Sequence, residues 1–513
     1  MNNYLTKWFL ENGILVNPEV FGIFQLIPEE DIKKVLENFK RTRIKILTKE
    51  IFAEHINSLA EGVGDDIVEK ININFGVSIT LSKKAESSHS AYKDKQKIII
   101  RQTYGNKVKK LEVEDFVRHF RNRFTFLKEI LQQRAELSNL TSISKMPPQK
   151  QQSSIIGIVF QKRVSKNKNI ILDVEDLTGR TVAIINHFKE ELCKTADNIL
   201  LDDIIAIRGI SDKDKIYVSD IFYPDSFLHE KTLLENDESA AFISDIHVGS
   251  THFLEKPFLK FLDWINGNVG DEKQRQEALK VKYLFITGDT VDGVGVFPGQ
   301  ESLISIPDIA EQYNVLAHYL MKIRSDVSIV MCPGQHDSVR VAEPQPAIPH
   351  VYAPLLHEMK NVILVSNPAC VEILNNGKRG VRILMYHGAS FHGFISSIDE
   401  LRVSKAVNYP TRIIRHVLKR RHLAPSHSLV TYIPDSEEDS LVIKEVPDII
   451  TTGDLHRPEI DTYNNILMIS CSCWQSITPF EEKVGNHPLP CKVPVLNLKT
   501  REAKILDFSE NEI

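Results

Sequence analysis

Six short apolar segments dominate the second half of this sequence, and polar residues bound each of them. Their runs of isoleucine, valine, leucine and phenylalanine predict fully buried strands. Helical or long polar stretches separate the segments, which is the pattern of an α/β layered domain running from about residue 239 to residue 513. The segments are 239–245, 281–289, 327–334, 382–388, 448–454 and 466–472.

Between residues 153 and 228 the hydrophobic period changes to two, which predicts five short strands. Five strands in so short a region suit a small Greek-key barrel of the OB type. OB barrels often bind single-stranded nucleic acid through aromatic and basic residues. Aromatic residues are scarce here until Phe222 and Tyr223, so a barrel that docks protein is an equally good interpretation. The predicted strands are 155–164, 169–176, 180–186, 203–210 and 215–225.

The first 152 residues predict helices joined by polar connectors. Residues 1–50 are expected to form a small helical module, because their apolar residues recur at helical spacing. Residues 51–152 are expected to be a basic helical and connector region that ends in a linker. Within it, the lysine-rich stretch 82–110 predicts a mobile connector, and the proline-containing stretch 144–154 predicts the linker itself.

A helix is expected between these two stretches, over residues 113–137. Its apolar residues repeat along one face, and its arginines are expected to form a solvated face, with phosphate binding as the alternative. The apolar residues are Phe116, Phe120, Phe124 and Leu127, and the arginines are Arg118, Arg121 and Arg123.

Length and composition limit the possible classes of protein. A chain of 513 residues is too long for one ordinary core, which indicates two to four domains. Six cysteines without a repeating framework, no signal peptide and no long apolar run predict a cytoplasmic protein with no membrane contact. The net charge of -5 leaves nucleic-acid binding to local basic patches. One candidate patch is Lys419, Arg420 and Arg421, and an exposed helix end is the alternative.

Metal-ligating residue types follow the predicted strands of the α/β domain where those strands end. Ligands in α/β sheets gather at the carboxyl ends of strands. A lone histidine or aspartate there is more often part of a capped turn, but five such strand ends in series favour a shared site. The residues are Asp245 and His247; Asp289 and Asp292; Gln335, His336 and Asp337; His387; and Asp454 and His456.

The residue types in this series indicate the chemistry of the site. In an Asp-x-His step, alternate side chains of an extended chain point the same way, so both reach one ion. Mixed carboxylate and imidazole ligands suit Mn²⁺, Fe²⁺, Zn²⁺ or similar ions. Two such ions about 4 Å apart clamp a phosphate and activate water. The series therefore predicts a dinuclear metal site.

The same series resembles the pattern of the calcineurin-like metallophosphoesterases over roughly residues 239–475. It is closer still to the small subunits of archaeal DNA polymerase D. That family resemblance is carried by "ISDIHVGS", "GDTVDGVGVFPGQ", "CPGQHDSVRVAEPQP" and "CWQSITPFEEKVGNHPLPCKVPVLNL". It implies an OB barrel ahead of a phosphoesterase domain, and a 3'–5' exonuclease that proofreads single-stranded or frayed DNA 3' ends for a separate large catalytic subunit.

The resemblance also implies a role for each residue. His336 would be the general acid that protonates the leaving oxygen, because a displaced 3'-oxygen needs a proton. A partner such as Asp337 or Asp292 would hold its ring. The first metal would take Asp245, His247, Asp289 and His456, and the second would share Asp289 and add Gln335, His387 and Asp454.

Two positions depart from the wider superfamily pattern, and both fall on the second metal. Gln335 stands where asparagine is usual, and Asp454 stands where histidine is usual. Replacing an imidazole by a carboxylate makes the site harder and more negative. We therefore expect two divalent ions with Mn²⁺ as the preferred metal and Mg²⁺ as the alternative.

Two other functions remain open at this point. A catalytically weak or silent scaffold that holds the large polymerase subunit would use the same folds, but it has no need of converging charged ligands. A phosphatase acting on small phosphoesters or proteins fits the metal site alone, and it leaves the barrel and the N-terminal module unexplained.

Overall fold

The computed structural model describes residues 97–105 and 110–509, together with residues 5, 8–9, 15–16, 21 and 46–47. The chain divides into two compact units, Met1–Asp94 and Lys95–Ile513. The predicted helical module at 1–50 lies almost entirely outside the described residues. Within the described part of the chain, each helix is too short or too polar to cross a bilayer.

The described residues contain nineteen strands and ten α-helices. The strands are β1 Leu15–Val16, β2 Ile46–Leu47, β3 Ile98–Gln102, β4 Gln151–Val164, β5 Ile170–Asp176, β6 Gly179–Ile185, β7 Ile204–Asp212, β8 Lys215–Phe222, β9 Ser239–Ile243, β10 Val281–Thr287, β11 Ser328–Cys332, β12 Val362–Leu364, β13 Ala369–Asn375, β14 Lys378–Met385, β15 Ile449–Thr452, β16 Glu459–Tyr463, β17 Ile466–Ser470, β18 Lys492–Asn497 and β19 Ala503–Asp507. The helices are α1 Val113–Gln132, α2 Glu190–Asp197, α3 Glu255–Ile265, α4 Glu272–Lys280, α5 Ile309–Leu320, α6 Pro354–Glu358, α7 Phe391–Ser397, α8 Asp399–Val403, α9 Pro410–Arg420 and α10 Pro479–Val484.

Two six-stranded sheets form the C-terminal part of the larger unit. The first has the order β12-β11-β10-β9-β18-β19, and the second has the order β16-β17-β15-β14-β13-β3. Strands β9 to β12 are parallel in the first sheet, as are β14, β15 and β17 in the second. All six strands that the sequence predicts are present, as β9, β10, β11, β14, β15 and β17.

The two sheets pack face to face with helices on both outer faces. Phe242 and Phe285 of the first sheet share a buried core with Ile383 and Ile469 of the second. On the outside of the first sheet lie helices α3 and α5, and on the outside of the second lie α7 and α9. This is the α/β layered arrangement expected from the sequence, and because its parallel strands end together it gathers their carboxyl ends.

The five strands predicted ahead of the sheets form a closed barrel in the order β4-β5-β6-β8-β7. Its interior is filled by alternating apolar residues such as Ile155, Leu172 and Ile207. The first strand begins at Gln151, so the end of the predicted linker 144–154 is wrong. Residues 151–154 belong to β4 and pair with β7, and Ser153 and Ser154 are buried in the barrel as a result.

Part of the stretch predicted to be a mobile connector is also a strand. Residues Ile98–Gln102 form β3, which pairs with β13 at the edge of the second sheet. Ile98 is buried in the core between the sheets, whereas Ile99 and Ile100 are exposed. The sequence did not predict this strand, because the residues around it are rich in lysine. An edge strand of this kind is stabilised by pairing with its neighbour rather than by its own hydrophobic pattern.

The predicted helix over 113–137 is α1, and its apolar face packs as expected at one end. Phe124 and Leu127 are buried against barrel residues such as Ile156, whereas Phe116 is partly exposed. Arg118 and Arg121 are exposed. The expectation of a solvated Arg123 is wrong, because its side chain is only 3% exposed.

Arg123 belongs to a buried charge cluster centred on Asp439. Its guanidinium donates to the Asp439 carboxylate and to the carbonyl oxygen of Pro425. His422 Nε2 lies 2.9 Å from Asp439 Oδ2, and His119 Nε2 lies 3.3 Å from it. Burial acts to raise the pKa of Asp439, but Arg123 and the histidines outweigh it and hold the pKa well below its usual range. The cluster fastens α1 to the segment that precedes β15.

The basic segment at the end of α9 turns inward as well. Arg420 is buried and donates to Asp203 of the barrel at 2.9 Å, and Arg421 is buried and donates to the carbonyl of Ile443 at 2.9 Å. Lys419 lies over the Tyr223 ring. Both interpretations of this segment are therefore wrong for its arginines, because Arg420 joins α9 to the barrel and Arg421 is buried against the segment that precedes β15.

Replacing Arg123 by methionine should destabilise the protein by about 3–5 kcal/mol, because the Asp439 carboxylate is left buried without its guanidinium partner. Chemical denaturation measures this difference directly. Arg118→Met, on an exposed position of the same helix, is the matched control and should change stability by less than about 0.5 kcal/mol. Equal unfolding midpoints for the two variants would show that the buried cluster is not a source of stability.

Candidate metal centre

The candidate ligands lie together where strands of both sheets end. Asp245 and Asp289 follow β9 and β10 of the first sheet, and His387 and Asp454 follow β14 and β15 of the second. Each of these four residues lies two positions after the end of its strand, at the edge where the parallel strands have their carboxyl ends. The sandwich brings these two edges face to face, and it thereby joins ligands that are far apart in the sequence.

The first group of ligand atoms comes from Asp245, His247 and His456. Their ligand atoms lie within 4.8 Å of one another. Asp245 Oδ1 is 3.3 Å from His456 Nε2 and 4.0 Å from His247 Nε2. These are three of the four residues expected on the first metal.

The second group is built around Asp289. Its Oδ2 atom lies 3.2 Å from His387 Nε2 and 3.9 Å from His247 Nε2. Asp245 belongs to this group as well, and Asp289 lies near a histidine nitrogen of each group, so both carboxylates lie between the two groups. Asp454 Oδ1 lies 4.0 Å from His387 Nε2, so Asp454 faces the second group.

The donor set fits divalent ions. Among the described residues, His247 Nε2, His387 Nε2 and Asp454 Oδ2 are buried and have no hydrogen-bond partner. Buried polar atoms are almost always hydrogen-bonded, so unpartnered nitrogens that face carboxylates need another explanation. Cations between them would satisfy these atoms and offset the buried negative charge. Imidazole nitrogen and carboxylate oxygen are the ligands that Mn²⁺, Fe²⁺ and Zn²⁺ share.

The backbone of these residues is strained. Five of the candidate ligands have left-handed φ angles, although side chains rarely tolerate that conformation and each instance costs about 1–3 kcal/mol. Such strain persists only where the surrounding structure imposes it, and it concentrates at functional sites. The φ angles are 49° at Asp245, 53° at His247, 47° at Asp289, 68° at Asp454 and 56° at His456.

A glycine allows the loops of the two sheets to approach. A Cβ atom at Gly453 would lie 2.6 Å from Asp245 Oδ2, which is closer than side chains pack. Without a side chain at Gly453, the backbone after β15 is in direct contact with the Asp245 carboxylate that follows β9. Asp454 N reaches Asp245 Oδ2 at 3.2 Å as a result.

A second layer of acceptors orients the histidine rings. His456 Nδ1 is hydrogen-bonded to Glu481 Oε1 at 2.8 Å, and His387 Nδ1 is hydrogen-bonded to the carbonyl oxygen of Thr287 at 2.9 Å. His247 Nδ1 lies 3.3 Å from Asp292 Oδ1, an ion-pair distance without hydrogen-bond geometry. An acceptor on one ring nitrogen leaves the other free to ligate a metal, and metal-binding histidines have such partners. The arrangement thus points each Nε2 toward the carboxylates.

Sequence reasoning missed Glu481. Glu481 is the third residue of helix α10 and forms a capping box with Thr478, in which the two residues exchange side-chain and backbone hydrogen bonds. The Thr-x-x-Glu spacing was visible in the sequence as a helix start. Its contact with His456 depends on where α10 lies in the fold.

The charges of the site raise the proton affinity of its histidines. Burial alone would lower the pKa of His387, but Asp289, Asp245 and Asp454 outweigh it and raise the pKa well above its usual value. Burial likewise acts to lower the pKa of His456, and Cys473 and Asp245 raise it well above its usual value. The carboxylates of the site therefore stabilise positive charge on the groups that lie between them.

The turn after β11 is positioned by hydrogen bonds to Asp289 and Asp292. His336 N donates to Asp289 Oδ1 at 2.9 Å, and His336 Nδ1 lies 2.8 Å from the main-chain oxygen of Asp292. Gln335 is half-buried and lines the cleft beside His336. Among the described residues, its amide makes no hydrogen bond to the other candidate ligands.

The expectation that Asp337 holds the His336 ring is not met. The Asp337 carboxylate is buried and accepts hydrogen bonds from Tyr313 Oη at 2.9 Å, from Gly334 N at 2.8 Å and from Thr290. It braces the turn from inside. The ring of His336 is held instead by the Asp292 backbone.

A buried amide bridge connects this turn to the second sheet. Asn367 Oδ1 accepts from His387 N at 2.9 Å, and Asn367 Nδ2 donates to Gln345 Oε1 at 2.7 Å. Gln345 Nε2 donates in turn to the carbonyl of Gly334 at 3.0 Å. The bridge sets the spacing between the His336 turn and His387. The neighbouring Glu343 is also buried, and burial raises its pKa to about 8.

Comparison with known proteins gives the family of this chain. The family of B-subunits of DNA polymerases alpha and epsilon matches residues 240–461, which include all the candidate ligands. The DNA polymerase II small subunit of Methanothermobacter thermautotrophicus is 39% identical over 78% of this chain and 80% of its own length. The chain belongs to the family of archaeal DNA polymerase II small subunits.

Other members of the small-subunit family are similar over most of the chain. The DNA polymerase II small subunit of Pyrococcus furiosus is 37% identical over 77% of this chain, and the match spans 64% of that longer relative. Among solved structures, an archaeal phosphodiesterase aligns over 52% of this chain and 98% of its own, with 12% identity and a TM-score of 0.26. A TM-score this low supports no conclusion.

Exchanging Asp454 for histidine should raise zinc binding at the second group, because an imidazole supplies the nitrogen that Zn²⁺ favours over a carboxylate oxygen. Competitive titration with Zn²⁺ and Mn²⁺, followed by metal analysis of the purified chain, measures the change. Asp263→His on the exposed face of α3 controls for a histidine added at random. Equal zinc affinity in the wild type and Asp454→His would mean that Asp454 does not contact a metal.

Proposed function

We propose that this small subunit is a metal-dependent 3'–5' exodeoxyribonuclease that proofreads for a large polymerase subunit. One observation carries the proposal: six acidic and imidazole side chains converge at the joined edges of two sheets, with buried atoms left unpartnered. The residues are Asp245, His247, Asp289, His387, Asp454 and His456. The two-sheet architecture and the order of these residues support a calcineurin-like phosphoesterase domain.

Two divalent ions, with Mn²⁺ preferred and Mg²⁺ as the alternative, would be held by the two groups around Asp289. When bound, such ions polarise a phosphodiester and lower the pKa of water. The residues of the chain set their spacing, because Asp289 Oδ2 lies within 3.9 Å of a histidine nitrogen from each group. Gln335 would complete the second group only after its side chain turns from the cleft.

His336 is suited to protonate the leaving 3'-oxygen. Its Nδ1 lies 2.8 Å from a carbonyl oxygen, which only accepts, so Nδ1 carries a proton and Nε2 is the atom that faces the site. Hydrolysis of the terminal phosphodiester displaces the 3'-oxygen of the preceding nucleotide. A protonated Nε2 would give its proton to that oxygen as the bond breaks.

Membership of the family supports a large catalytic subunit as the partner. A silent scaffold would need the barrel and the sheets, but not the left-handed ligands or the unpartnered buried nitrogens. Those features destabilise the chain unless something binds there. The energetic cost of the site therefore favours an active subunit over a scaffold.

The purified chain should shorten 5'-labelled single-stranded DNA from its 3' end when Mn²⁺ is present. His336→Ala should slow this cleavage by about 100- to 10,000-fold, because the leaving oxygen loses its proton donor. Metal content should stay at the wild-type level, because His336 is assigned as an acid and not as a ligand. Gel electrophoresis of the labelled strand and metal analysis give the two readouts.

His318→Ala, on the exposed face of α5, is the matched control and should cleave at the wild-type rate. Loss of an ion from His336→Ala would overturn the acid role and make His336 a ligand. A wild-type chain that fails to cleave, both alone and with the large subunit, would leave the scaffold as the better function.

A further inference from the structure

A cleft of about 620 Å³ opens beside His336. One wall is the turn that carries Gln335 and His336, and the other walls include apolar residues of two loops. Its volume is within the range of about 300–1,000 Å³ that small-molecule sites occupy. The proline-rich segment after Val339 forms part of these walls, as Pro346 and Pro349 show.

The loop 293–299 on one side of the cleft is fastened by two buried glutamines. Gln300 accepts from Val296 N at 2.8 Å and donates to the carbonyl of Asp292 at 2.9 Å. Gln312 accepts from Gly293 N at 2.9 Å. The apolar tip of this loop is therefore held next to the metal centre by groups that are themselves 0% exposed.

Apolar side chains remain exposed around this cleft. Phe297 and Tyr352 are each 37% exposed, and Val341 is 63% exposed. The Phe297 ring lies 6.3 Å from the His336 ring, edge to face. Large apolar side chains that face solvent beside a candidate catalytic group indicate a binding surface.

We propose that this cleft binds the unpaired terminal base at the 3' end of a DNA strand, with Tyr352 as its stacking surface. The inference rests on the proposed exonuclease function and adds the part of the substrate that the metals do not hold. A phosphodiester at the metal centre places its nucleoside next to His336, and the apolar walls begin there. Bases stack on aromatic side chains whatever their sequence.

The same geometry would favour DNA 3' ends whose terminal base is unpaired. In a duplex, the terminal base is paired and stacked on its neighbour, so it reaches Tyr352 only after it is unpaired. Unpairing costs a few kcal/mol and costs least at a mismatch. The cleft would therefore admit a mismatched end more readily than a paired one, without any contact that identifies the mismatch.

The test uses the full chain and two 5'-fluorescein single strands that differ only at the 3' terminus, one ending in thymidine and the other in an abasic tetrahydrofuran nucleotide. Cleavage is measured with Mn²⁺, and binding is measured by fluorescence anisotropy in EDTA. The wild type should prefer the thymidine end by about 5- to 150-fold, the range that one base–aromatic stack supports. Tyr352→Ala should lose this preference, and Tyr352→Phe should keep it.

Phe227→Ala is the matched control. Phe227 is 52% exposed. Its neighbour Leu228 donates a backbone hydrogen bond to Asn464, which precedes β17. Phe227 therefore lies near the amino end of that strand, whereas the candidate ligands follow the carboxyl ends. This variant should behave as the wild type on both strands. Phe297→Ala tests the aromatic ring beside His336 and should also weaken the preference.

The outcomes separate the two proposals. Wild-type cleavage with equal rates on both strands would overturn the base site and leave the exonuclease standing. A Tyr352→Ala variant with an unchanged preference would also overturn it. Base-dependent binding that Tyr352→Ala removes, in a chain that cleaves neither strand, would support the base site and contradict the exonuclease.

Discussion

Three carboxylates at one edge of the sandwich, two of them buried and one nearly so, are the constraint on which the rest of the structure depends. Asp245 and Asp289 are less than 5% exposed, and Asp454 shares one histidine neighbour, His387, with both of them. Like charges gathered in a low dielectric repel one another, and the fold must offset that repulsion. Imidazoles offset part of it, and the unpartnered nitrogens mark where cations would offset the remainder. The left-handed backbone and the close approach at Gly453 are consequences of forcing these groups together.

The parts of the chain outside the sheets hold this edge in place. Arg123 joins α1 to Asp439, and Arg420 joins α9 to the barrel through Asp203. The segment after residue 430 pairs with Glu343, whose amide donates to the carbonyl of Thr431 at 2.9 Å. Two residues further on, Gln345 enters the amide bridge to the His336 turn. These separate polar contacts fasten α1, the barrel and the segment after residue 430 to the part of the chain that carries the site.

The sequence predicted the features whose signals are local. Buried strands are continuous apolar runs, and residues that follow such runs must lie at a sheet edge, so the positions of Asp245, Asp289, His387 and Asp454 followed directly. Other features depend on distant partners. Burial of Arg123 requires Asp439, and the strand at 98–102 requires the free edge of β13, so neither has a signal of its own. Asp337 was misassigned for a related reason, because its partner Tyr313 lies on a helix that the turn pattern does not reveal.

Electron paramagnetic resonance of the full chain titrated with Mn²⁺ tests the central claim most directly. If Asp289 bridges two groups of ligands, two ions bind to each chain and their spins couple through the shared carboxylate. Asp289→Asn should abolish the coupled signal, whereas Asp263→Asn on the exposed face of α3 should leave it unchanged. A single isolated Mn²⁺ spectrum at saturation, or no bound manganese, would contradict a dinuclear centre at this edge.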